Sequence, residues 1–272
     1  PIAEAAADLH RRRLEEPFRP ECLTVVPGDD CTLACEYCYS EGARSGGPGP
    51  NLKEETVAAA AEIIADNCRE KCRPFRLAAL GGGEPTLPFQ WLERVVDLTR
   101  NLAARRGLDW NGYIATNGCL TEKQAVRLAG LFDLVGLSCD GPPDIQNRQR
   151  PLASKGPTSP LVERTARRLS ELGAKVHVRA TITPRTFRRQ TEMVEYFHSE
   201  LRADHVRFEP VFRAGRAGFT SDLAEEYAAA FLAARERAAR LGVNLTYDGV
   251  RPEEMHGPFC EVSRNALRLV PG

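Results

Sequence analysis

Cys31-Thr32-Leu33-Ala34-Cys35-Glu36-Tyr37-Cys38 sets three cysteines at C-x3-C-x2-C spacing. The stretch follows a compact β-type run, Cys22 to Val26, that breaks at Pro27 and Gly28. Cysteine thiolates hold iron–sulfur clusters, normally four to a cluster. Three thiolates in one tight loop match three irons of a cubane and leave the fourth iron for a ligand from outside the protein. A structural zinc site would want a fourth Cys or His close by to complete a tetrahedron, and none follows at the usual pair spacing. Buried thiols without a ligand role are the plain alternative.

Outward from the triplet, short β-type runs alternate with amphipathic helices. A Gly/Pro-rich loop covers Gly42 to Pro50, and Glu54 to Asn67 has helical spacing with Val57, Ala61, Ile64 and Ala65 on one face. Phe75 to Leu80 reads as a strand, Phe89 to Arg105 as a helix with Trp91, Val95, Leu98 and Leu102 in a stripe, and Gly112 to Ala115 as a strand. Thr121 is a helix N-cap by residue type for the helix to Leu131. Leu134 to Leu137, Val176 to Ile182 and His205 to Phe208 are further strands. Helices are expected over Leu161 to Leu172, Phe187 to Leu201 and Asp222 to Leu241. Repeated β-α units imply a parallel sheet covered by helices. The expected class is α/β, a partial (β/α)6 TIM-like barrel, with a doubly wound sheet as the competing architecture. In either, chemistry belongs at the carboxyl ends of the strands.

The loops at those ends carry polar residues. Leu80-Gly81-Gly82-Gly83-Glu84-Pro85 lets backbone approach a ligand and offers an acid to an ammonium group. Thr116-Asn117-Gly118 and Ser138-Cys139-Asp140-Gly141-Pro142 are turn sequences that also supply hydroxyl and carboxylate contacts. Arg179, alone within the apolar strand Val178 to Ile182, needs an anionic partner if buried. That partner is a ligand or a structural acid. Asn147, Arg148 and Arg150 are read in a polar loop, and Phe208, Glu209, Arg213 and Arg216 follow the sixth strand.

Composition excludes several classes. Lys plus Arg equals Asp plus Glu, at 37 each, so the basic excess of a nucleic-acid or membrane-surface protein is missing. Arg11-Arg12-Arg13 is a short solvated run. No apolar run reaches the ~20 residues that span a bilayer, and Pro1 to His10 does not read as a signal peptide. Nine cysteines without an export signal fit a reducing, cytoplasmic setting. Cys68 and Cys72 are four apart and are expected to share a helix face; Cys22, Cys119 and Cys139 read as small buried groups. His177, His198 and His256 are read as structural or exposed, so no catalytic base is identified.

The triplet with its aromatic at Tyr37 resembles the radical S-adenosylmethionine superfamily. The resemblance implies a [4Fe–4S] cluster on Cys31, Cys35 and Cys38, and S-adenosylmethionine chelating the open iron. It implies contacts to that cofactor from Tyr37, Gly82, Gly83, Glu84, Asn117, Ser138, Asp140 and Arg179, with the Gly-Gly-Glu loop on the amino group and Ser138 and Arg179 on carboxylate and ribose. Asn147, Arg148 and Arg150 resemble a stretch of peptide-modifying members that shapes the substrate entrance. Phe259 to Gly272 resembles the opening of a SPASM or twitch extension, which implies Cys260 as a ligand to an auxiliary cluster. The resulting domain reading is a helical segment over 1–20, the barrel over 21–248, and a truncated extension over 249–272. Were Gly272 the natural C-terminus, the strand-like run before Val270-Pro271-Gly272 would have little to pair with, which favours a fragment; the alternative is a protein without the extension, with Cys260 an idle thiol.

The resemblance points to an enzyme that forms a 5′-deoxyadenosyl radical and takes hydrogen from a peptide or protein side chain, in the maturation of a ribosomally made peptide. A flavodoxin or ferredoxin would supply the electron. The alternatives are an anaerobic sulfatase-maturating, formylglycine-forming enzyme, and a non-catalytic iron–sulfur or zinc protein. The last would have no use for Gly82, Gly83, Glu84 and Arg179.

Overall fold

The protein, analysed as a computed structural model, is described over residues 17–38, 40, 52–211, 221–247 and 265–271. Eight strands form one sheet: β1 Cys22–Val25, β2 Phe75–Ala79, β3 Trp110–Thr116, β4 Leu134–Ser138, β5 Val176–Ile182, β6 His205–Pro210, β7 Asn244–Tyr247 and β8 Ala266–Leu269. The helices are α1 Glu54–Glu70, α2 Phe89–Arg105, α3 Glu122–Leu131, α4 Pro143–Gln149, α5 Ser159–Glu171, α6 Gln190–Leu201 and α7 Ala224–Leu241.

Every pairing is parallel, and the order across the sheet is β7-β6-β5-β4-β3-β2-β1-β8. From β1 to β7 the chain always steps to the next place in the same direction. A doubly wound sheet reverses direction at a switch point, and this one does not, so the partial barrel is the architecture. The pleat agrees. A parallel sheet covered on both faces reads as continuous apolar runs, whereas here β5 alternates buried Val178, Ala180 and Ile182 with half-buried His177, Arg179 and Thr181. In β6, Val206 and Phe208 are buried and Arg207 and Glu209 are not. The apolar set joins a core with Val194 and Phe197 of α6 and Ala234 of α7. A second core gathers Leu23, Phe75, Leu77, Ile64, Leu92 and Val95 under α1 and α2. The other face carries the half-buried polar side chains of β5 and β6.

Two strands exceed the six expected. Asn244–Tyr247 pairs with β6, and Ala266–Leu269 pairs with β1 from Cys22↔Ala266 to Val25↔Leu269. The strand-like run before Val270 therefore pairs with β1. Segments of four residues carry too little periodicity to be read from sequence. The polar loop after Gly141 is in fact α4, started by Pro142 and Pro143, where a missing N–H costs nothing. Cys72 lies beyond the end of α1 and is exposed, so it does not share a face with buried Cys68. Residues 17–20 form no helix, and residues 1–16 lie outside the described residues, as do Gly42 to Pro50, Arg213, Arg216, His256 and Cys260. Among the described residues, no helix is long and apolar enough to cross a membrane.

Thr121 caps α3 as expected: its hydroxyl accepts from Gln124 N, and the Gln124 side chain accepts from Thr121 N at 3.0 Å. Phe208 is fully buried in the core beneath β4 to β7. Phe208→Ala should cost ~3–5 kcal/mol of stability and Thr121→Ala ~1 kcal/mol, read as separate downshifts in urea midpoint. A Phe208 variant no worse than the Thr121 variant would contradict the closed core described.

Candidate functional site

The loop leaving β1 carries the cysteine triplet and is zipped onto a second loop. Ala34 N donates to Pro151 O at 2.9 Å, Glu36 N to Gln149 O at 2.9 Å, and Ala153 N to Thr32 O at 2.8 Å. Leu33, which is buried, bridges to Leu152 in antiparallel fashion. Cys31, Cys35 and Cys38 are all half-buried and line one cavity. The Cys31 sulfur is approached by Leu33 N at 3.5 Å and by Asn117 Nδ2 at 3.8 Å. Burial raises the pKa of Cys31, and it pushes Cys35 up to about 11 against the opposing charge of Arg150.

The glycine loop after β2 packs directly on the chain leaving β1. Gly83 N donates to Gly28 O at 3.2 Å and Glu84 N to Asp30 O at 2.7 Å. A Cβ on Gly82 would overlap Asp29 Oδ1, and one on Gly83 would overlap the backbone of Asp29 and Asp30. At Gly83, where the neighbour is backbone, this close approach requires glycine. Glu84 is buried, and its Oε1 accepts from Thr86 N at 3.1 Å, Thr86 Oγ1 at 2.7 Å and Thr116 Oγ1 at 2.7 Å, while Oε2 accepts from Asn117 N at 2.6 Å. A carboxylate accepts about four such bonds. All four donors come from within the protein, so Glu84 acts as a tie between the ends of β2 and β3 while also lining the cavity. Burial raises its pKa, and the four donors work against that rise.

At β4 to β6 the cavity wall is formed by Ser138, Arg179, Thr181 and Glu209, side chains on the open face of the sheet. Arg179 meets Glu209 through Nη2 at 2.7 Å and Nε at 2.8 Å, and reaches the Tyr113 hydroxyl at 3.4 Å. Burial opposes its charge, but Glu209 and Tyr113 outweigh it and keep the guanidinium firmly protonated. The anionic partner that a half-buried arginine requires is thus a residue of the neighbouring strand.

Asp140 is fully buried and stands behind the cavity wall instead of facing it. Its Oδ2 accepts from Tyr37 OH at 2.6 Å and Gln149 Nε2 at 2.9 Å, and its Oδ1 from Thr181 N at 3.0 Å. An acid whose oxygens are taken up in this way supports the site without touching what fills it, which corrects the expected cofactor contact. Arg150 Nη1 donates to Tyr37 OH at 2.6 Å, so the tyrosine links the triplet loop to both charges.

The structure therefore gathers Cys31, Cys35, Cys38, Tyr37, Gly82, Gly83, Glu84, Asn117, Ser138 and Arg179 around one cavity of about 510 Å³. Cys260 lies outside the described residues. Sequence reading missed Tyr113, Gln149 and Thr181. Thr181 was within reach, because it lies two residues after Arg179 on the same face of β5.

Comparison with known proteins agrees with this geometry. A cysteine-type anaerobic sulfatase-maturating enzyme of Clostridium perfringens is 26% identical over 187 residues, 65% of this chain and 48% of the relative. A serine-type anaerobic sulfatase-maturating enzyme of Bacteroides thetaiotaomicron is 25% identical over 202 residues, 72% of this chain and 47% of the relative. The chain thus spans about half the length of these curated relatives. Among solved structures, anSMEcpe with bound AdoMet and Cp18Cys peptide has a TM-score of 0.70 at 20% identity, over 84% of this chain and 63% of that one. SuiB of Streptococcus suis, bound to precursor peptide SuiA, has a TM-score of 0.70 at 14% identity, over 98% and 61%. These likenesses speak for the fold. The sequence profile of the Radical SAM superfamily matches residues 25–197, the span that holds all three cysteines and every strand end from β1 to β5, and the chain belongs to that superfamily.

Proposed function

We propose that this chain cleaves S-adenosylmethionine reductively and takes a hydrogen atom from a peptide or protein substrate. Members of the superfamily use a [4Fe–4S] cluster and S-adenosylmethionine. The carrying observation is the single cavity shared by the cysteine triplet, the glycine loop and the polar ends of β3 to β6. Its volume of about 510 Å³ lies within the range of small-molecule sites. The residues fit the two groups: three soft thiolates, a backbone cradle at Gly82 and Gly83, and on Arg150 a buried Nε with no hydrogen-bond partner. When bound on these residues, the cluster and S-adenosylmethionine would supply reductive sulfonium cleavage and hydrogen-abstraction chemistry.

The chain's own residues divide the remaining tasks. Cys31, Cys35 and Cys38 hold three irons and leave one open. Gly82 and Gly83 bring backbone against the amino end of the cofactor, while Glu84 keeps that loop fixed to Thr116 and Asn117. Arg179 and Ser138 receive the carboxylate. Glu209 occupies one edge of the Arg179 fork, and Nη1, committed only to Tyr113 at 3.4 Å, offers the other. Leu33, Ala115 and Val211 supply apolar wall that keeps water from the reacting atoms.

A second reading, formylglycine formation on a sulfatase, is favoured by the two curated relatives, both sulfatase-maturating enzymes. The readings share the cavity and part at the substrate.

Anaerobic reconstitution with iron and sulfide, followed by S-adenosylmethionine and dithionite, should yield 5′-deoxyadenosine. The variant with Cys31, Cys35 and Cys38 all changed to Ala should yield none. Zinc uptake without iron would defeat the proposal. Offered a cysteine-bearing sulfatase peptide, a maturase should leave an aldehyde that a hydrazide probe traps; absence of aldehyde beside a cross-linked ribosomal peptide would favour peptide maturation. Arg179→Ala should weaken S-adenosylmethionine binding by roughly 10- to 150-fold, the loss of a bond between charged groups, measured by calorimetry. Unchanged affinity would remove Arg179 from the site. Cluster loading should also improve as pH rises from neutrality, because the Cys35 thiol, pushed up to about 11, must lose its proton to bind iron. Iron retained against a chelator would read this, and a flat profile would count against Cys35 as a ligand.

A further inference from the structure

We propose that Arg150 is a positioning charge that sets the reduction potential of the cluster held by Cys31, Cys35 and Cys38. The inference rests on the cluster reading given above. Arg150 ends α4 and belongs to the segment zipped onto the triplet loop, with Glu36 N on Gln149 O and Ala34 N on Pro151 O, both at 2.9 Å. Two backbone bonds flank the arginine, so its position is locked to that of the cysteines. It lines the cavity that they line.

Its side chain is only 12% exposed, and Asp140, 3.7 Å away, is wholly buried. Nη1 is committed to the Tyr37 hydroxyl, whereas Nε is buried without a hydrogen-bond partner. Leaving a buried guanidinium donor unmet is costly. Thiolate and sulfide sulfurs are acceptors, and a filled triplet brings such atoms to this wall of the cavity.

Asp140 offsets only part of the Arg150 charge: Arg150 lines the cavity and Asp140 does not, and Tyr37, Gln149 and Thr181 N all donate to the Asp140 oxygens. A fixed cation beside a cluster favours the form that carries one more electron, since hydrogen bonds and net charge around the sulfurs govern the potential. Electrostatic coupling is strong here because the groups are shielded from water. The sign is therefore fixed: removing the Arg150 charge makes reduction harder, and removing the Asp140 charge makes it easier.

The test is a redox titration of the reconstituted full chain, followed by electron paramagnetic resonance of the reduced cluster, with iron and sulfide assayed on each sample. For Arg150→Gln the one-electron equilibrium constant for reduction should fall about tenfold, a downshift of about 59 mV. Arg150→Lys should recover most of it, and Asp140→Asn should shift the potential upward. Arg150→Gln with full iron and an unchanged potential overturns the inference while the cluster reading stands. So do downshifts in both Arg150→Gln and Asp140→Asn, which would report a loosened loop. If Arg150→Gln fails to retain iron, the other two variants decide: an upshift in Asp140→Asn with near-parental Arg150→Lys supports the inference, and no upshift overturns it. A parent chain that holds no cluster overturns both readings at once.

Discussion

The buried carboxylate of Glu84 ties together the ends of three strands. Its own amide reaches the loop after β1, its side chain follows β2, and its oxygens bind the hydroxyl of Thr116 and the amide of Asn117 at the end of β3. Burying such a charge costs several kcal/mol. Each hydrogen bond to a charged group returns about 1.5–3 kcal/mol, so four of them bring the group near balance. What is gained is geometry. A parallel sheet leaves its strand ends free to splay, and this acid fixes three of them against the loop that carries the cysteines.

Asp140 does the same for the other half of the sheet. It follows β4, accepts from Thr181 of β5, and reaches through Tyr37 into the triplet loop. The two acids lie on either side of the cysteines, and both point inward to the protein's own donors. The remaining charged pair of the cavity wall, Arg179 with Glu209, is half-buried and lies within it. The division is physical: fully satisfied charges hold the frame, and a partly satisfied arginine faces the contents. Under the proposed function, such a frame would keep a reactive carbon radical in a fixed place away from water.

Much of this was legible in the sequence. The stripe Trp91, Val95, Leu98 and Leu102 marks α2 from Phe89 to Arg105, and Thr121 opens α3 with a capping pair visible three residues apart. The triplet and glycine loop were readable because their chemistry depends on residue type and close spacing. Less legible was which polar residue faces the cavity. Asp140 read as a contact because an acid at a strand end looks available; only its distant partners, Tyr37 and Thr181, reveal that it stands behind the wall. Arg150 was read in a polar loop at a substrate entrance, and its place beside the triplet was hidden for a related reason. Its helix, α4, buries Ile145 but has no long apolar stripe, and the backbone partners of its segment lie in the triplet loop more than a hundred residues earlier.

The pairing of β8 with β1 has a consequence for how the chain comes to be folded. During synthesis the outer edge of Leu23 and Val25 presents unpaired backbone groups until Ala266 to Leu269 have emerged. At about 5–20 residues per second that wait exceeds ~10 s. Throughout it an apolar strand edge is open to other nascent chains, the kind of edge that templates aggregation. Loss of β8 would thus act on yield in the cell.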